Sequence, residues 1–491
     1  MVMIWMFPAP NVDARSEVPI YRQVFQQLKD SISTGRLAKG TRLPATRELA
    51  GLLGLNRTTI SAAYDLLESE GLIAGQVGRG SYVTGESARE SHGPDWRSLL
   101  TPSIAAPSPL PSKEAISFAS SRPSEHLFPM EEFRRSCEEV LAGSEVASIL
   151  QLGSPGGYQP LRQHLIAEAR SSGAMGPSDD LIVTSGVQQA LDLLQRALVG
   201  PGDRVAIEDP VYSGVKNLFQ CAGAQVSGVR MGADGIDLED LERIIERDHP
   251  KALIVTPNFQ NPTGATMPIE ARKALVRITH AAGIALVEND TYGDLRYEGP
   301  ALPAVKSRDT ILLRSFSKIA FPGLRVGWAI GPHAVIARMI EAKQLSDLHS
   351  DQLSQAVVLR FAESGRLEAH RRRILKSGSE KLKAVLSACE TYLPQGSSYT
   401  RPQGGMNLWV RLPRPLDAGE LLMRAQRENV TYLPGRYFTV SRPDPGGFRL
   451  SFAGLTPDEI RAGVSILGKI FSAELDRVQS ARSQEPAPAM V

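Results

Sequence analysis

A lysine in the segment RSFSKIAFPGLRVGW has a setting that favours covalent chemistry. Lys318 closely follows a short apolar run, ILLRS, which predicts a buried strand. An amine at the end of such a strand is partly desolvated, and desolvation makes it more nucleophilic. Lys318 is therefore the candidate catalytic residue.

A second segment, TSGVQQAL, is suited to bind an anion through its backbone. A predicted strand ends in this segment, Gly186 turns the chain, and a helix begins near Gln188. Free N–H groups at the N-terminus of a helix bind phosphate. Gly186, Val187 and Gln188 are therefore predicted to cradle a phosphate group.

Side chains in the N-terminal part of the chain suit DNA. Arg57, Thr58 and Thr59 open a predicted helix, and a recognition helix places its first residues against base edges and phosphates. Arginine can bond a guanine edge through two hydrogen bonds, and threonine hydroxyls suit phosphates or bases. We also predict that Arg47 contacts a phosphate and that Arg79, flanked by glycines, follows the backbone into the minor groove.

Three helices and a hairpin are predicted to position these side chains. Apolar residues at helical spacing predict helices over 19–34, 45–53 and 57–69, the last capped by Asn56. Two short strands, 72–74 and 81–83, are joined through glycines. Three helices followed by a glycine-bounded hairpin are typical of a winged helix-turn-helix.

Short apolar runs in the rest of the chain predict a layered α/β sheet. The runs are LIVTS, RVAIE, ALIVT, IALVE and ILLRS. They have the character of strands buried on both faces, and the helical stretches between them indicate an α/β architecture. A smaller α+β portion is expected from about Ser346.

The composition changes between these two blocks. Residues 85–115 are rich in Ser, Pro and Gly and have little periodicity, which indicates a linker. We predict a DNA-binding domain over 14–84, the linker over 85–115, a second domain over 116–479 and a disordered tail over 480–491.

The overall composition is ordinary for a soluble globular protein. The 491 residues carry a net charge of +2 and are 42% hydrophobic and 22% charged. Cys137, Cys221 and Cys389 lie far apart without the spacing of a disulfide framework or a zinc site, so no metal is predicted. The apolar start is too short for a signal peptide, and no later run approaches a transmembrane length. We expect a cytoplasmic protein.

The N-terminal block resembles the GntR superfamily of transcription regulators. The resemblance rests on LPATRELAGLLGLNRTTISAAYDLLESEGLIAGQVGRGSYV and covers about residues 19–84. It implies a winged helix-turn-helix that binds double-stranded operator DNA.

The second block resembles the fold type I aminotransferases, which bind pyridoxal 5'-phosphate (PLP), over most of residues 121–452. The resemblance implies that Lys318 forms the Schiff base with PLP. It also implies that Ser315 and Arg325 bind the phosphate, a role that suits a hydroxyl and a guanidinium.

Three further segments carry the same resemblance. Asn261, in TPNFQNPTG, is implied to bind the ring hydroxyl of PLP, and Tyr212, in EDPVYSG, to stack on the ring. Arg449, in GGFRLSFA, is implied to bind the α-carboxylate of a substrate or effector through a bidentate pair.

Two positions depart from the pattern of that family. The family places the carboxylate that meets the pyridine nitrogen three residues before a tyrosine. That tyrosine is Tyr292 in VENDTYGDLRY, so the carboxylate position holds Asn289. Asp290 is adjacent, but neighbours on a strand point to opposite faces. Either a bulge re-aims Asp290, or the nitrogen meets an amide and the electron sink is weaker. The second departure is Leu152, where the family usually has a tyrosine that reaches the phosphate of the partner subunit.

A GntR-type head on an aminotransferase-like body is the organisation of the MocR subfamily, and this resemblance covers nearly the whole chain. It implies a homodimeric regulator, often swapped head to tail, that senses PLP, an amino compound or both. Two alternatives remain open. One is an active aminotransferase with a vestigial DNA-binding head, and the other is a regulator whose large domain is only a dimerisation scaffold.

Overall fold

The computed structural model describes residues 10–13, 16, 18–76, 80–84, 100, 115–307 and 309–483, with only the backbone for 481–483. The chain forms two compact units, Met1–Ser103 and Ile104–Val491. Arg79 and all of the predicted linker except Leu100 and Ala115 lie outside the described residues.

The first unit consists of three helices and a two-stranded antiparallel sheet. Their bounds are α1 (Ile20–Ser33), α2 (Thr46–Leu53), α3 (Arg57–Ser69), β1 (Ile73–Gln76) and β2 (Gly80–Val83). The predicted helices are confirmed to within one residue at each end. The predicted strands were too short, because β1 continues through Gly75 to Gln76 and β2 already begins at Gly80.

The helices of the first unit form because each has one apolar stripe that packs against the others. The shared core includes Val24, Leu28, Leu49, Ile60 and Leu67, all at most 1% exposed. Two local features fix the turn before α3. The first is Gly54, which ends α2 in the left-handed conformation at φ 64°. The second is the predicted cap, because Asn56 Oδ1 accepts from the Thr58 backbone N at 3.2 Å.

The second unit is built on an eight-stranded sheet with the order β4-β11-β10-β9-β8-β5-β6-β7. The strands are β4 (Asp179–Thr184), β5 (Arg204–Asp209), β6 (Gln225–Gly232), β7 (Gly235–Ile236), β8 (Ala252–Val255), β9 (Ala285–Asn289), β10 (Ile311–Ser315) and β11 (Gly327–Pro332). All five predicted runs are strands of this sheet. The strands β6, β7 and β11 were not predicted.

Strand direction brings the ends of several strands to one edge of the sheet. The neighbours β10, β9, β8, β5 and β6 are parallel, and β11 is antiparallel to both β10 and β4. The carboxyl ends of β4, β5, β8, β9 and β10 therefore meet at the edge where β11 begins. In open α/β sheets, ligands bind at the carboxyl ends of the strands.

Helices cover both faces of this sheet and extend into a smaller α+β part. They are α4 (Met130–Leu141), α5 (Val146–Ile149), α6 (Gln159–Ser171), α7 (Val187–Leu198), α8 (Ser213–Cys221), α9 (Leu238–Asp248), α10 (Ile269–Ala281), α11 (His333–Ser346), α12 (Gln352–Glu363), α13 (Arg366–Tyr392), α14 (Ala418–Arg427) and α15 (Pro457–Ser483). Short 3-10 turns lie at Glu125–Leu127, Phe316–Lys318, Pro322–Leu324 and Gly435–Tyr437.

The smaller part contains a four-stranded sheet and a two-stranded parallel pair. The sheet has the order β12 (Ser398–Tyr399), β13 (Asn407–Arg411), β16 (Gly447–Ser451) and β15 (Leu433–Pro434), and the pair is β3 (Ile116–Ser117) with β14 (Val430–Thr431). The start of the second block thus belongs to this part, which was not predicted. The predicted boundary of the tail at 480 was wrong, because α15 continues to Ser483. Among the described residues, no helix is long and apolar enough to cross a membrane.

Candidate cofactor and effector site

A cavity of about 980 Å³ opens at this edge of the large sheet. It is lined by most of the residues predicted to bind a cofactor or effector, namely Val187, Gln188, Tyr212, Asn261, Asn289, Tyr292, Ser315, Lys318, Arg325 and Arg449. Two predicted residues, Gly186 and Asp290, are not among the lining residues. Sequence reasoning missed ten polar residues that do line the cavity, namely Ser117, Ser120, Ser121, Arg122, His126, Ser213, Thr256, Thr291, Ser317 and Glu459.

Lys318 reaches the cavity from the 3-10 turn that follows β10. Its Nζ donates to the Ser121 backbone oxygen at 2.6 Å and lies 5.6 Å from the centroid of the Tyr292 ring. Burial alone would raise the pKa of the Tyr292 phenol, but the positive charge of Lys318 and the hydrogen bond from Ser121 bring that pKa below its ordinary value. The Lys318 amine is thus close enough to lower the pKa of the Tyr292 phenol.

The turn between β4 and α7 lies directly against Arg325. Gly186 precedes α7 with φ 80°, and a Cβ atom at this position would lie 2.9 Å from Arg325 Cζ. The backbone also approaches Gly327 closely, because a Cβ there would lie 2.8 Å from Gly186 Cα. Arg325 itself has a left-handed backbone at φ 55°, and its Nη2 donates to the Ser185 backbone oxygen at 3.2 Å. A guanidinium beside the N-terminus of a helix forms a site for an anion.

Two serines complete the polar surface beside Lys318. Ser315 Oγ accepts from the Ser317 backbone N at 3.0 Å, and it lies 2.8 Å from Ser317 Oγ. Both side chains line the cavity. The sequence carries no signal for Ser317, which is placed by the 3-10 turn Phe316–Lys318 that Ser315 caps.

Arg449 is a buried cation, and one of its N–H donors has no hydrogen-bond partner among the described residues. Its Nη1 donates to Asn261 Oδ1 at 2.9 Å, and its Nη2 donates to the Ala119 backbone oxygen. Its Nε is buried and has no partner within the described part of the chain. Burial lowers the pKa of Arg449 to about 10, so the side chain keeps its charge at neutral pH. A buried, charged donor without a partner favours an anionic ligand such as a carboxylate.

Asn261 and Tyr292 form a pair next to Arg449. Asn261 Nδ2 donates to the Tyr292 hydroxyl oxygen at 3.5 Å, and both residues are buried. Tyr212, at the start of α8, is 43% exposed and lines the same cavity from the solvent side. Its ring lies over Gly214, where a Cβ would be 2.8 Å from Tyr212 Cζ. The aromatic ring thus forms part of the cavity wall near the start of α8.

The structure distinguishes Asn289 from Asp290. Asn289 ends β9 and lines the cavity, and β9 stays in register with β10 up to the pair Leu313 and Asn289. Asp290 does not line the cavity. Its carboxylate accepts from Asn258 Nδ2 at 2.8 Å and forms an ion pair with Arg314 Nε at 3.3 Å. No bulge in the described part of β9 turns Asp290 toward the cavity. The structure therefore does not support Asp290 as a cofactor-binding residue.

The predicted DNA-contacting side chains lie on the surface of the first unit. Arg57 and Thr58 are exposed at the N-terminus of α3, Thr59 is half-buried, and Arg47 is exposed on α2. Within the described residues, neither arginine forms an ion pair with a carboxylate. Both guanidinium groups are therefore available for an external partner.

Comparisons with known proteins match both units. The family described as aminotransferase class I and II matches residues 122–467, and the family described as bacterial regulatory proteins, gntR family, matches residues 20–83. The chain is 31% identical to YdcR, an uncharacterized HTH-type transcriptional regulator of Escherichia coli (strain K12), over 93% of this chain and 99% of the relative. It is 30% identical to MocR of Rhizobium meliloti, a probable rhizopine catabolism regulatory protein, over 94% of this chain and 96% of the relative.

A solved structure extends this comparison to the larger unit. It is the crystal structure of LysN, an α-aminoadipate aminotransferase from Thermus thermophilus, complexed with N-(5'-phosphopyridoxyl)-L-leucine. The similarity has a TM-score of 0.70 and 34% identity, and it covers 74% of this chain and 94% of LysN.

Fold, site and comparisons define a class of protein, in which a GntR DNA-binding domain is fused to an aminotransferase-like domain of fold type I. Relatives that match over nearly the whole chain are named as HTH-type transcriptional regulators or as a regulatory protein. The chain belongs to the MocR subfamily of GntR-superfamily regulators. The first domain implies DNA binding, and the second implies PLP dependence and a small-molecule effector.

Proposed function

We propose that the chain regulates transcription by holding PLP on Lys318 and responding to PLP, to an amino compound, or to both. The observation that carries this proposal is that the Lys318 amine and the buried, incompletely bonded Arg449 guanidinium line one cavity. The Lys318 amine can react with a carbonyl carbon, and the Arg449 guanidinium can bind a carboxylate. A cavity that holds a carbonyl cofactor and an amino acid needs both groups.

The residues around Lys318 fit PLP. The close approach of Gly186 to Arg325 leaves no room for a Cβ atom, as expected where backbone N–H groups and a guanidinium meet a phosphate. When bound, PLP supplies an aldehyde carbon that forms an imine with amines. The residues proposed to hold its phosphate are Gly186, Val187, Gln188, Ser315, Ser317 and Arg325, and those proposed to hold its ring are Tyr212, Asn261, Asn289 and Tyr292.

Arg449 restricts the class of effector. Its side chain is 3% exposed, and its position is fixed by Asn261 and by the Ala119 backbone oxygen. A carboxylate that accepts a hydrogen bond from the free Nε satisfies this buried donor. A neutral acceptor would form a weaker hydrogen bond with the charged guanidinium. We therefore propose an effector that carries both an amine and a carboxylate.

The first unit supplies the proposed DNA contacts. Residues 14–84 are proposed as the operator-binding domain, with Arg57, Thr58 and Thr59 facing the major groove and Arg47 on a phosphate. Arg79 is proposed to reach the minor groove. Residues 116–479 are proposed as the effector and dimerisation domain.

Exposed leucines on the larger unit favour a homodimer. Leu150, Leu152 and Leu345 are 68%, 73% and 90% exposed. Leu150 and Leu152 flank Gln151, whose backbone oxygen accepts from Gln352 Nε2 at 2.8 Å at the start of α12, and Leu345 lies near the end of the preceding helix, α11. Leu150 and Leu152 are thus two large, exposed apolar side chains on one short segment, as is typical of an interface.

An active aminotransferase is the second candidate. The similarity to LysN and the presence of Lys318 in the cavity favour this function. The amide of Asn289 at the position of the usual carboxylate weighs against it. Conversion of an amino acid and a keto acid by the purified protein, without any effect of PLP or amines on DNA binding, would establish the enzyme and exclude the regulator.

The test is selection of DNA by the full-length protein from a random library, followed by affinity measurements on the selected sequence. We expect the affinity for that sequence to change when PLP and a mixture of amino acids are added. Lys318→Ala should abolish this change, whereas Lys376→Ala, which removes an exposed lysine of α13, should retain it. Equal DNA affinity with and without PLP and amino acids would refute the proposed function.

A further inference from the structure

We propose that Asn289 donates a hydrogen bond to the pyridine nitrogen of bound PLP and keeps that nitrogen unprotonated. The site then binds an amine without transaminating it. This inference rests on the proposed function, because it concerns PLP held in the same cavity. It assigns to Asn289 the role that separates a sensor from an enzyme.

The orientation of the amide carries the inference. The Thr291 hydroxyl donates to Asn289 Oδ1 at 2.7 Å, so the amide oxygen already has a partner. Asn289 lines the cavity at the end of β9, and its Nδ2 has no protein partner among the described residues. The group that Asn289 can offer to a ligand is thus an N–H donor. A ring nitrogen that faces a donor must accept through its lone pair and cannot carry a proton.

The neighbouring carboxylate is held elsewhere. Besides Asn258 and Arg314, Asp290 lies over Gly293, where a Cβ would be 2.9 Å from Asp290 Cγ. Asn258 is itself fixed, because Arg272 Nη2 donates to Asn258 Oδ1 at 2.7 Å. Turning Asp290 toward the cavity would remove the acceptor of Asn258 Nδ2 and the ion pair of Arg314 Nε in a buried network, which is costly. Asp290 is therefore not a substitute partner for the ring nitrogen.

The consequence is a separation of two reactions. Amine exchange at the aldehyde carbon forms a bond to the ligand nitrogen and breaks the bond to the Lys318 nitrogen. The two amino protons of the ligand end on Lys318, and nothing is oxidised or reduced. Transamination in addition requires loss of the α proton, which a protonated, electron-withdrawing ring promotes. With Asn289 as the partner of the ring nitrogen, the protein can still exchange the amine, but the ring no longer promotes loss of the α proton.

The test is ¹⁵N NMR of the full-length protein loaded with PLP that carries ¹⁵N in its ring. The chemical shift separates a protonated from an unprotonated pyridine nitrogen. We expect the unprotonated shift in the wild-type protein and the protonated shift in Asn289→Asp. Asp294→Asn removes a carboxylate that pairs with Arg314 through Nη2 at 3.0 Å. Because Asp294 does not line the cavity, this control should retain the wild-type shift.

A protonated ring nitrogen in the wild-type protein would overturn this inference and leave the proposed function intact. If Asn289→Asp fails to fold, the wild-type spectrum still decides. Absence of any bound PLP would overturn the proposed function itself, and with it the inference.

Discussion

Substitution of Gly186 by alanine is the sharpest structural test of the phosphate cradle. Gly186 has φ 80° and ψ 172°, a combination that L-residues with a Cβ atom rarely adopt. The new Cβ would also overlap the Arg325 guanidinium, with Cζ only 2.9 Å away. The substitution therefore strains the backbone and displaces the cation that we propose for the phosphate.

The two effects have separate magnitudes. A non-glycine residue forced into this backbone region costs about 1–3 kcal/mol of folding stability. A lost hydrogen bond to a charged group costs about 1.5–3 kcal/mol, which corresponds to roughly ten- to 150-fold weaker binding of PLP. We expect both losses in Gly186→Ala.

Urea unfolding of the PLP-free protein measures the first loss, and titration with PLP followed by absorbance measures the second. Gly323→Ala is the matched control, because Gly323 lies in the turn before Arg325 and a Cβ there would meet nothing within 4 Å. If Gly186→Ala binds PLP as tightly as Gly323→Ala does, the reasoning about the cradle is refuted.

Three further predictions follow from other parts of the molecule. Arg57→Ala should weaken binding to the selected operator by about 1–3 kcal/mol if Arg57 contacts a base, whereas Arg22→Ala on α1 should not; band-shift titrations check this. Arg449→Lys keeps the charge but loses the planar fork, so calorimetry should detect weaker binding of amino acids and no change for amines without a carboxylate. Burial, followed by the charge of Asp290, raises the pKa of Glu288 to about 8. A carboxyl group whose pKa is higher in the folded than in the unfolded state stabilises the fold at low pH. This stabilisation is lost as pH rises through the folded-state pKa. The melting temperature of Glu288→Gln should therefore fall less between about pH 5 and pH 8 than that of the wild type. An equal fall in both proteins would contradict the raised pKa of Glu288.

Much of the fold could be predicted because local signals and tertiary packing agree. The helix α3 was predicted with its observed bounds, since Asn56 caps it and Ile60 and Leu67 lie on its buried stripe. The strand β11 was missed because its sequence, GWAIGP, contains two glycines and a proline. Its neighbours β4 and β10 position it, and these contacts are distant in sequence.

The residue types of the site could be predicted from the sequence, but the orientation of every side chain could not. Lys318 and Arg449 were identified by the motifs around them, and both line the cavity. The choice between Asn289 and Asp290 depends on Arg314 and Asn258, which are held by other elements. Ser121 was missed because its contribution to the Lys318 contact is a backbone oxygen, which a sequence motif does not record.

The most direct test of the central claim is reduction of the PLP-loaded protein with borohydride, followed by mass spectrometry of its peptides. The account predicts a phosphopyridoxyl adduct on Lys318 and loss of that adduct in Lys318→Ala. Absence of an adduct on Lys318 in the wild-type protein would contradict it, and the larger unit would then be better explained as a dimerisation scaffold for the DNA-binding domain.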